Sequence, residues 1–251
     1  MTKIISFLNH KGGVGKTTST INIGAALAHL GKRVLLIDLD PQASLTLSLG
    51  IDNCEKTIYS AIKDAIKSTG VLPVFNKKEN LDVVPSERDL ADMEFLLMKE
   101  MAGERFLSHL ISPLMGKYHY ILIDCPPSIG LIAINALVAS DSIVIPVQAE
   151  ILSLHGMKSM LTVIERVQNR LNDKLTIEGF LMTQYDARTG LHKRVVEDMH
   201  ETYGLQVFKT PIRRNIRISE APMDREDIFS YDASSSGAKD YMSVAKAILN
   251  K

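Results

Sequence analysis

Lys16 and Thr17 sit near the end of a short run, His10-Lys11-Gly12-Gly13-Val14-Gly15-Lys16-Thr17-Thr18, whose residue types suit the holding of phosphate. Glycines let the backbone turn tightly and aim several N–H groups into one concavity, and a helix opening there adds partial positive charge at its N-terminus. Lys16 is spaced to reach the β- and γ-phosphates of a nucleotide, and the Thr17 hydroxyl to take a position on Mg²⁺. The common P-loop pattern, G-x-x-x-x-G-K-[ST], has glycine where this chain has His10. The chain also places Lys11 directly before Gly12-Gly13. A second lysine inside a phosphate turn calls for a role of its own.

Carboxylates stand at the ends of two apolar runs. Val34-Leu35-Leu36-Ile37 ends in Asp38, with Asp40-Pro41-Gln42 just beyond. Ile121-Leu122-Ile123 ends in Asp124, followed by Cys125-Pro126-Pro127. The second has the form of a Walker B strand, whose carboxylate holds a water on Mg²⁺. Apolar runs without alternation predict strands buried on both faces, hence a parallel sheet. Residues 4–8, 34–38, 81–85, 120–124, 142–147 and 177–182 read as such strands. Helical patterns occupy 19–30, 87–101, 153–171, 190–203 and 236–250, with a shorter one on Ile58, Ile62 and Ile66; residues 77–80 read as an exposed loop. Strands alternating with helices imply right-handed crossovers. The expected fold is α/β and three-layered: a mostly parallel twisted sheet with helices on both faces, of the P-loop NTPase type. Ligands of such sheets bind beyond the carboxyl ends of the strands, so Asp38, Asp40 and Asp124 are expected to face the P-loop.

The bulk numbers narrow the class. A chain of 251 residues, 45% hydrophobic and 23% charged, fits one large globular domain spanning residues 1–251. Two cysteines, Cys54 and Cys125, make no disulfide framework, which favours a reducing cytoplasm. No apolar run approaches the roughly 20 residues that span a bilayer, and the N-terminus enters a strand directly, leaving no room for a signal peptide. Zero net charge argues against coating nucleic acid by bulk charge. A local patch is still present: Lys209, Arg213, Arg214 and Arg217 lie in a stretch without an acidic residue.

The run K-G-G-V-G-K-T-T is the deviant Walker A motif, and the chain resembles the ParA/Soj partition ATPases, relatives of MinD. The resemblance runs from about Lys3 to the last helix and is weakest over 52–80. It implies ATP and Mg²⁺ as cofactors, with 11–18 (Lys11, Gly12, Gly13, Val14, Gly15, Lys16, Thr17, Thr18) around the phosphates. It implies that Lys11 reaches across a dimer interface to the partner's nucleotide, making hydrolysis depend on pairing and pairing on ATP. Asp40 matches the residue that polarises the attacking water, so Lys11, Lys16 and Asp40 are the expected catalytic set. Asp38 matches the acidic residue near Thr17, giving Thr17, Asp38 and Asp124 as the expected metal set. Two further blocks match, Asp186-Ala187-Arg188-Thr189 and Arg214-Asn215-Ile216-Arg217-Ile218-Ser219-Glu220-Ala221-Pro222. The family has proline beside adenine where this chain has Arg213; Arg213 and Asn215 are the candidates here, the amide of Asn215 offering both a donor and an acceptor. Arg188 and Arg217 match arginines that bind double-stranded DNA without reading sequence, a contact to phosphates that weakens steeply with salt.

The resemblance thus implies a cytoplasmic, nucleoid-associated switch: a homodimer with ATP, bound to non-specific DNA, and stimulated by a ParB-like centromere-binding protein. Three rival readings use the same scaffold. A MinD-like membrane ATPase needs a basic amphipathic helix at its end, where this chain reads Ala247-Ile248-Leu249-Asn250-Lys251. A small-molecule ligase or synthetase needs a substrate constellation beyond the nucleotide. A reductase of the nitrogenase iron-protein kind needs cluster cysteines that Cys54 and Cys125 do not match.

Overall fold

The computed structural model describes residues 1–251 except Asn53 and 151–156. Its frame is a sheet in the order β3-β4-β2-β5-β1-β6-β7, seven strands among the described residues. The strands are β1 (Lys3–Phe7), β2 (Val34–Asp38), β3 (Phe75–Lys78), β4 (Leu81–Val84), β5 (Tyr120–Asp124), β6 (Ser142–Gln148) and β7 (Thr176–Thr183). All neighbouring pairs are parallel except β3 with β4. The expected three-layer α/β fold is therefore present, with one antiparallel edge that the sequence reading missed. Residues 77–80, expected as a loop, hold the end of β3 and the turn into β4, with Asn80 at φ 62°. Lys77 and Lys78 on this edge resemble a charged strand end more than a buried strand, which hid it.

Side chains of successive strand residues point to opposite faces, and both faces are covered. Ile4, Leu35, Ile37, Ile121, Ile123, Ile143 and Ile145 pack on one side. That layer contains α3 (Ile58–Ile66), α4 (Met93–Leu97), α5 (Phe106–Ile111), α6 (Leu131–Ala139), α7 (Met157–Arg170) and α8 (Gly190–Tyr203). Ile5, Phe7, Val34, Leu36, Leu122 and Val144 pack on the other, under α1 (Lys16–His29), α2 (Ser44–Ser48), α10 (Ile228–Asp232) and α11 (Ser236–Leu249). The short α9 (Ile216–Glu220) lies before α10. Helix α1 sits so close to the sheet that a Cβ on Gly24 would stand 2.5 Å from Cδ2 of Leu36. That approach fixes the helix that carries Lys16 and Thr17 against β2 and β5.

The single helix expected over 87–101 is absent. The chain instead makes a 3₁₀ turn, Arg88–Asp92, and then only α4. The α ladder is lost on both sides of α4, where Leu90 donates to Glu87, Lys99 to Leu96 and Glu100 to Leu97, each three residues back. Glu94, within α4, accepts from the N–H groups of Leu131 (2.8 Å) and Ile132 (3.2 Å) at the start of α6. That contact caps α6, which has no side-chain cap of its own at its N-cap residue. Helix α7 begins at Met157 among the described residues, so the expected start at 153 lies outside them.

Candidate functional site

Three strand ends meet at one point. β1 runs into the glycine turn; its neighbour β5 ends in Asp124, and β2, on the far side of β5, ends in Asp38, which stands opposite Asp124 in register. The turn is shaped by Gly13 and Gly15, both with positive φ (73° and 85°) that L side chains rarely adopt. Its outer carbonyls are held by the far strands. Gln148 and Gln184 both donate to the Gly13 carbonyl (3.0 and 2.9 Å), and the Thr183 hydroxyl to that of Val14 (2.8 Å). Carbonyl and N–H of one peptide plane point opposite ways, so the Val14 and Gly15 N–H groups turn away from these holders. Helix α1 opens directly behind them with no side-chain cap and no acidic residue in its first turn. That leaves bare amides and a positive helix end, the elements of an anion seat. Gln148, Thr183 and Gln184 escaped the sequence reading, although Gln148 and Thr183 share with Asp38 and Asp124 the signal of a polar residue closing a strand.

Lys16 is buried at the floor of this seat, its Nζ donating to the carbonyl of Lys11 (3.3 Å). Desolvation lowers its pKa, while the charges of Asp124 and Asp40 act to raise it. Asp124 is fully buried and neither carboxylate oxygen has a hydrogen-bond partner. Burial raises its pKa well above the usual carboxylate range and the charge of Asp38 adds to this; Thr17 and Lys16 pull the other way. Asp38, equally buried, is raised to about 6, again first by burial. Unlike Asp124 it is well partnered: Oδ2 accepts from the N–H (2.9 Å) and hydroxyl (2.7 Å) of Thr46, and Oδ1 from the N–H of Asp40 (3.1 Å). Asp40 is also buried, its Oδ1 accepting from the N–H of Gln42 (2.9 Å). Burial pushes up the pKa of the Cys125 thiol, which favours the neutral form.

Lys11 does not point into solvent: its Nζ donates to Gln148 Oε1 (2.9 Å) and Glu150 Oε2 (3.0 Å) of its own chain. Beside the turn lies a cavity of about 290 Å³, lined by Gly15, Thr18, Thr183, Arg214, Asn215 and Tyr241 among others. Asn215 lines it, with its amide oriented by one accepted and one donated bond. Oδ1 caps α9 through the N–H of Arg217 (2.8 Å), and Nδ2 donates to the Ser236 hydroxyl (2.6 Å). Arg213 lines it too and forks onto the buried Asp240, with Nη2 2.7 Å from Oδ1 and Nε 2.9 Å from Oδ2. The loop bearing Arg188 and the segment leading into α9, which carries Arg217, are joined by pairing of Tyr185 with Arg213. Both arginines are engaged locally, Arg188 with Asp186 (2.8 Å) and Arg217 with Glu220 (3.0 Å), and both stay exposed.

Mg²⁺ fits the chemistry of this donor set. Two buried carboxylate oxygens without a well-formed hydrogen bond, close to the Thr17 hydroxyl, suit a cation, and Mg²⁺ commonly takes one or two protein ligands plus waters and phosphate. Among the described residues no cluster of three or more His, Cys, Asp or Glu offers a complete protein cage. No helix among the described residues is long and apolar enough to cross a membrane.

Comparison with known proteins adds to this geometry. The AAA domain family matches residues 2–177. The chain is 45% identical over 256 residues to the sporulation initiation inhibitor protein Soj of Bacillus subtilis (strain 168), covering 99% of this chain and 98% of that one. It is 36% identical over 258 residues to the chromosome partitioning protein ParA of Caulobacter vibrioides, covering 99% and 94%. Among solved structures it superimposes with a TM-score of 0.85 on a cobyrinic acid a,c-diamide synthase from Mycobacterium smegmatis with bound ADP and magnesium. That match is 34% identical and covers 100% of this chain and 95% of the other.

Proposed function

Because the chain belongs to the Soj/ParA family of partition ATPases, we propose that it is an ATP-driven switch that pairs on ATP, grips DNA and lets go on hydrolysis. The observation that carries the reading is Asp124, a buried carboxylate with both oxygens unpartnered, facing Lys16 and Thr17 at the uncapped start of α1. Residues 11–18 cradle the phosphates, and the cavity beside Thr18 takes the nucleoside. Thr17 and Asp124 would hold Mg²⁺, which supplies charge neutralisation at the phosphates. Asp40 orients the attacking water. Arg213 shapes the nucleoside wall through Asp240; Asn215 lies at the same wall with its amide engaged.

Lys11 supplies the remaining positive charge in trans. In the lone chain it rests on Gln148 and Glu150, and pairing exchanges those partners for the phosphates of a second copy. The paired form binds double-stranded DNA through Arg188 and Arg217, and a ParB-like centromere-binding protein stimulates turnover. The place of action on this reading is the nucleoid, in the cytoplasm, with no membrane partner. The resemblance to a diamide synthase supports small-molecule ligation as a second reading.

Size exclusion of wild type and of Asp40→Ala with ATP tests the pairing. A dimer that persists in Asp40→Ala supports the proposal; a monomer at micromolar concentration in both opposes it. A gel shift with Arg217→Ala tests the DNA face, where loss of binding with ATP affinity intact is expected. ATP turnover indifferent to DNA would favour the ligase.

A further inference from the structure

The residues around Asp40 form a closed hydrogen-bonded circuit. The N–H of Asp40 donates to Oδ1 of Asp38 at 3.1 Å. Oδ2 of Asp38 accepts the Thr46 hydroxyl at 2.7 Å. That hydroxyl oxygen in turn accepts the N–H of Ser86 at 2.9 Å, and the Ser86 hydroxyl donates to the carbonyl of Asp40 at 2.8 Å. All four residues are buried. The four come from the end of β2, from α2 and from the segment after β4, so three separate pieces of chain close on one residue. The same Asp40 carbonyl also accepts from the N–H of Ala43, which adopts a left-handed φ of 52°.

From this circuit we propose that Thr46 and Ser86 are positioning residues for hydrolysis: with Asp38 as their acceptor, they clamp the backbone of Asp40 at both its N–H and its carbonyl. The inference rests on the reading of Asp40 as the residue that orients water. The physical argument is geometric. Asp40 lies outside β2, in a turn, where nothing in the sheet ladder fixes its backbone. A carboxylate that must meet a water and a phosphate within a few tenths of an ångström needs such a fix, since a shift of about 1 Å can cost on the order of a hundredfold in rate. The hydroxyl of Thr46 is the hinge of the clamp, because it donates to Asp38 and accepts from Ser86 at once. Valine has the shape of threonine but can do neither; serine can do both. Asp38 thereby acquires a role in the scaffold. Its oxygens accept three donors, which distinguishes it from Asp124; the place expected for it beside Mg²⁺ is compatible with this role through a metal-bound water.

The test is steady-state ATP turnover of the full chain with kcat and KM separated. Ser86→Ala should lower kcat by roughly tenfold and Thr46→Val by more, with KM for ATP within about twofold of wild type. Thr46→Ser should restore kcat, which keeps the test valid if Thr46→Val fails to fold. In an Asp40→Ala background, Ser86→Ala should cost nothing further, because the clamp has no carboxylate left to aim. An unchanged kcat in Ser86→Ala, a loss confined to KM, or an equal loss with and without Asp40 would overturn the inference. If Asp40→Ala itself keeps full turnover, the role of Asp40 falls, and the clamp's catalytic role with it.

Discussion

Asp38 and Asp124 end adjacent strands, pair in register, and are both fully buried. Their surroundings differ in one respect. Asp38 has three hydrogen-bond donors on its two oxygens, and Asp124 has none. A buried carboxylate with donors is scaffold: its charge is stabilised by the protein around it. A buried carboxylate without them destabilises the folded chain until a cation arrives, and such groups in native structures commonly mark function. The pair shows that residue type and strand position together do not fix a carboxylate's surroundings; the supply of donors differs between the two.

The largest test of this contrast is ATP turnover. Asp124→Asn should lower Mg²⁺-dependent hydrolysis on the order of a hundredfold, by removing the anionic support of the metal. Activity within a few-fold of wild type would erase the distinction between the two carboxylates. Stability should respond in the opposite sense. In the metal-free protein, Asp38→Ala strands two buried N–H groups and a hydroxyl, and should cost about 3 kcal/mol in chemical denaturation. Asp124→Asn strands nothing that was paired and removes a buried charge, so it should be neutral or stabilising in the same assay. A greater loss for Asp124→Asn would invert the comparison.

The smallest effect is in pH. Burial holds Asp38 at about 6 and Asp124 well above the usual range, whereas the unfolded chain titrates near about 4. Between these values the folded metal-free protein binds more protons than the unfolded one. Its stability from these groups is present at low pH and is lost as pH rises through about 4 to 6, and higher for Asp124. Asparagine at 124 carries no charge at any pH. The melting temperature of Asp124→Asn should therefore exceed that of wild type by a margin that widens from pH 5 to pH 7. A margin constant across that range would show that Asp124 keeps its ordinary proton affinity.

Legibility followed the range of the interactions involved. Apolar runs such as Val34-Leu35-Leu36-Ile37 announce a strand buried on both faces, and the structure has it. The glycine turn and the following helix are equally local, and Lys16 lies where the motif puts it. The stripe Leu90, Met93 and Leu97 is buried as read, yet the continuous helix drawn through it is broken into a 3₁₀ turn and α4, with three-residue turn bonds on either side. β3 was missed because an edge strand carries charge rather than an apolar run. Asn215 is expected to face the base from its amide chemistry; the fold adds that Oδ1 accepts from Arg217 and Nδ2 donates to Ser236, which orients the amide and leaves one N–H and one lone pair over.

The sequence by itself determined the layered sheet, the phosphate turn with its two lysines, and the presence of carboxylates at the mouths of β2 and β5. These follow from covalent properties of neighbouring residues: hydropathy, backbone freedom and charge. The folded structure decided what each carboxylate, amide and lysine is paired with, through partners such as Thr46, Ser86 and Gln148 that other elements bring in. A hydrogen bond is made or lost within a few tenths of an ångström, and only the packed chain fixes positions that finely.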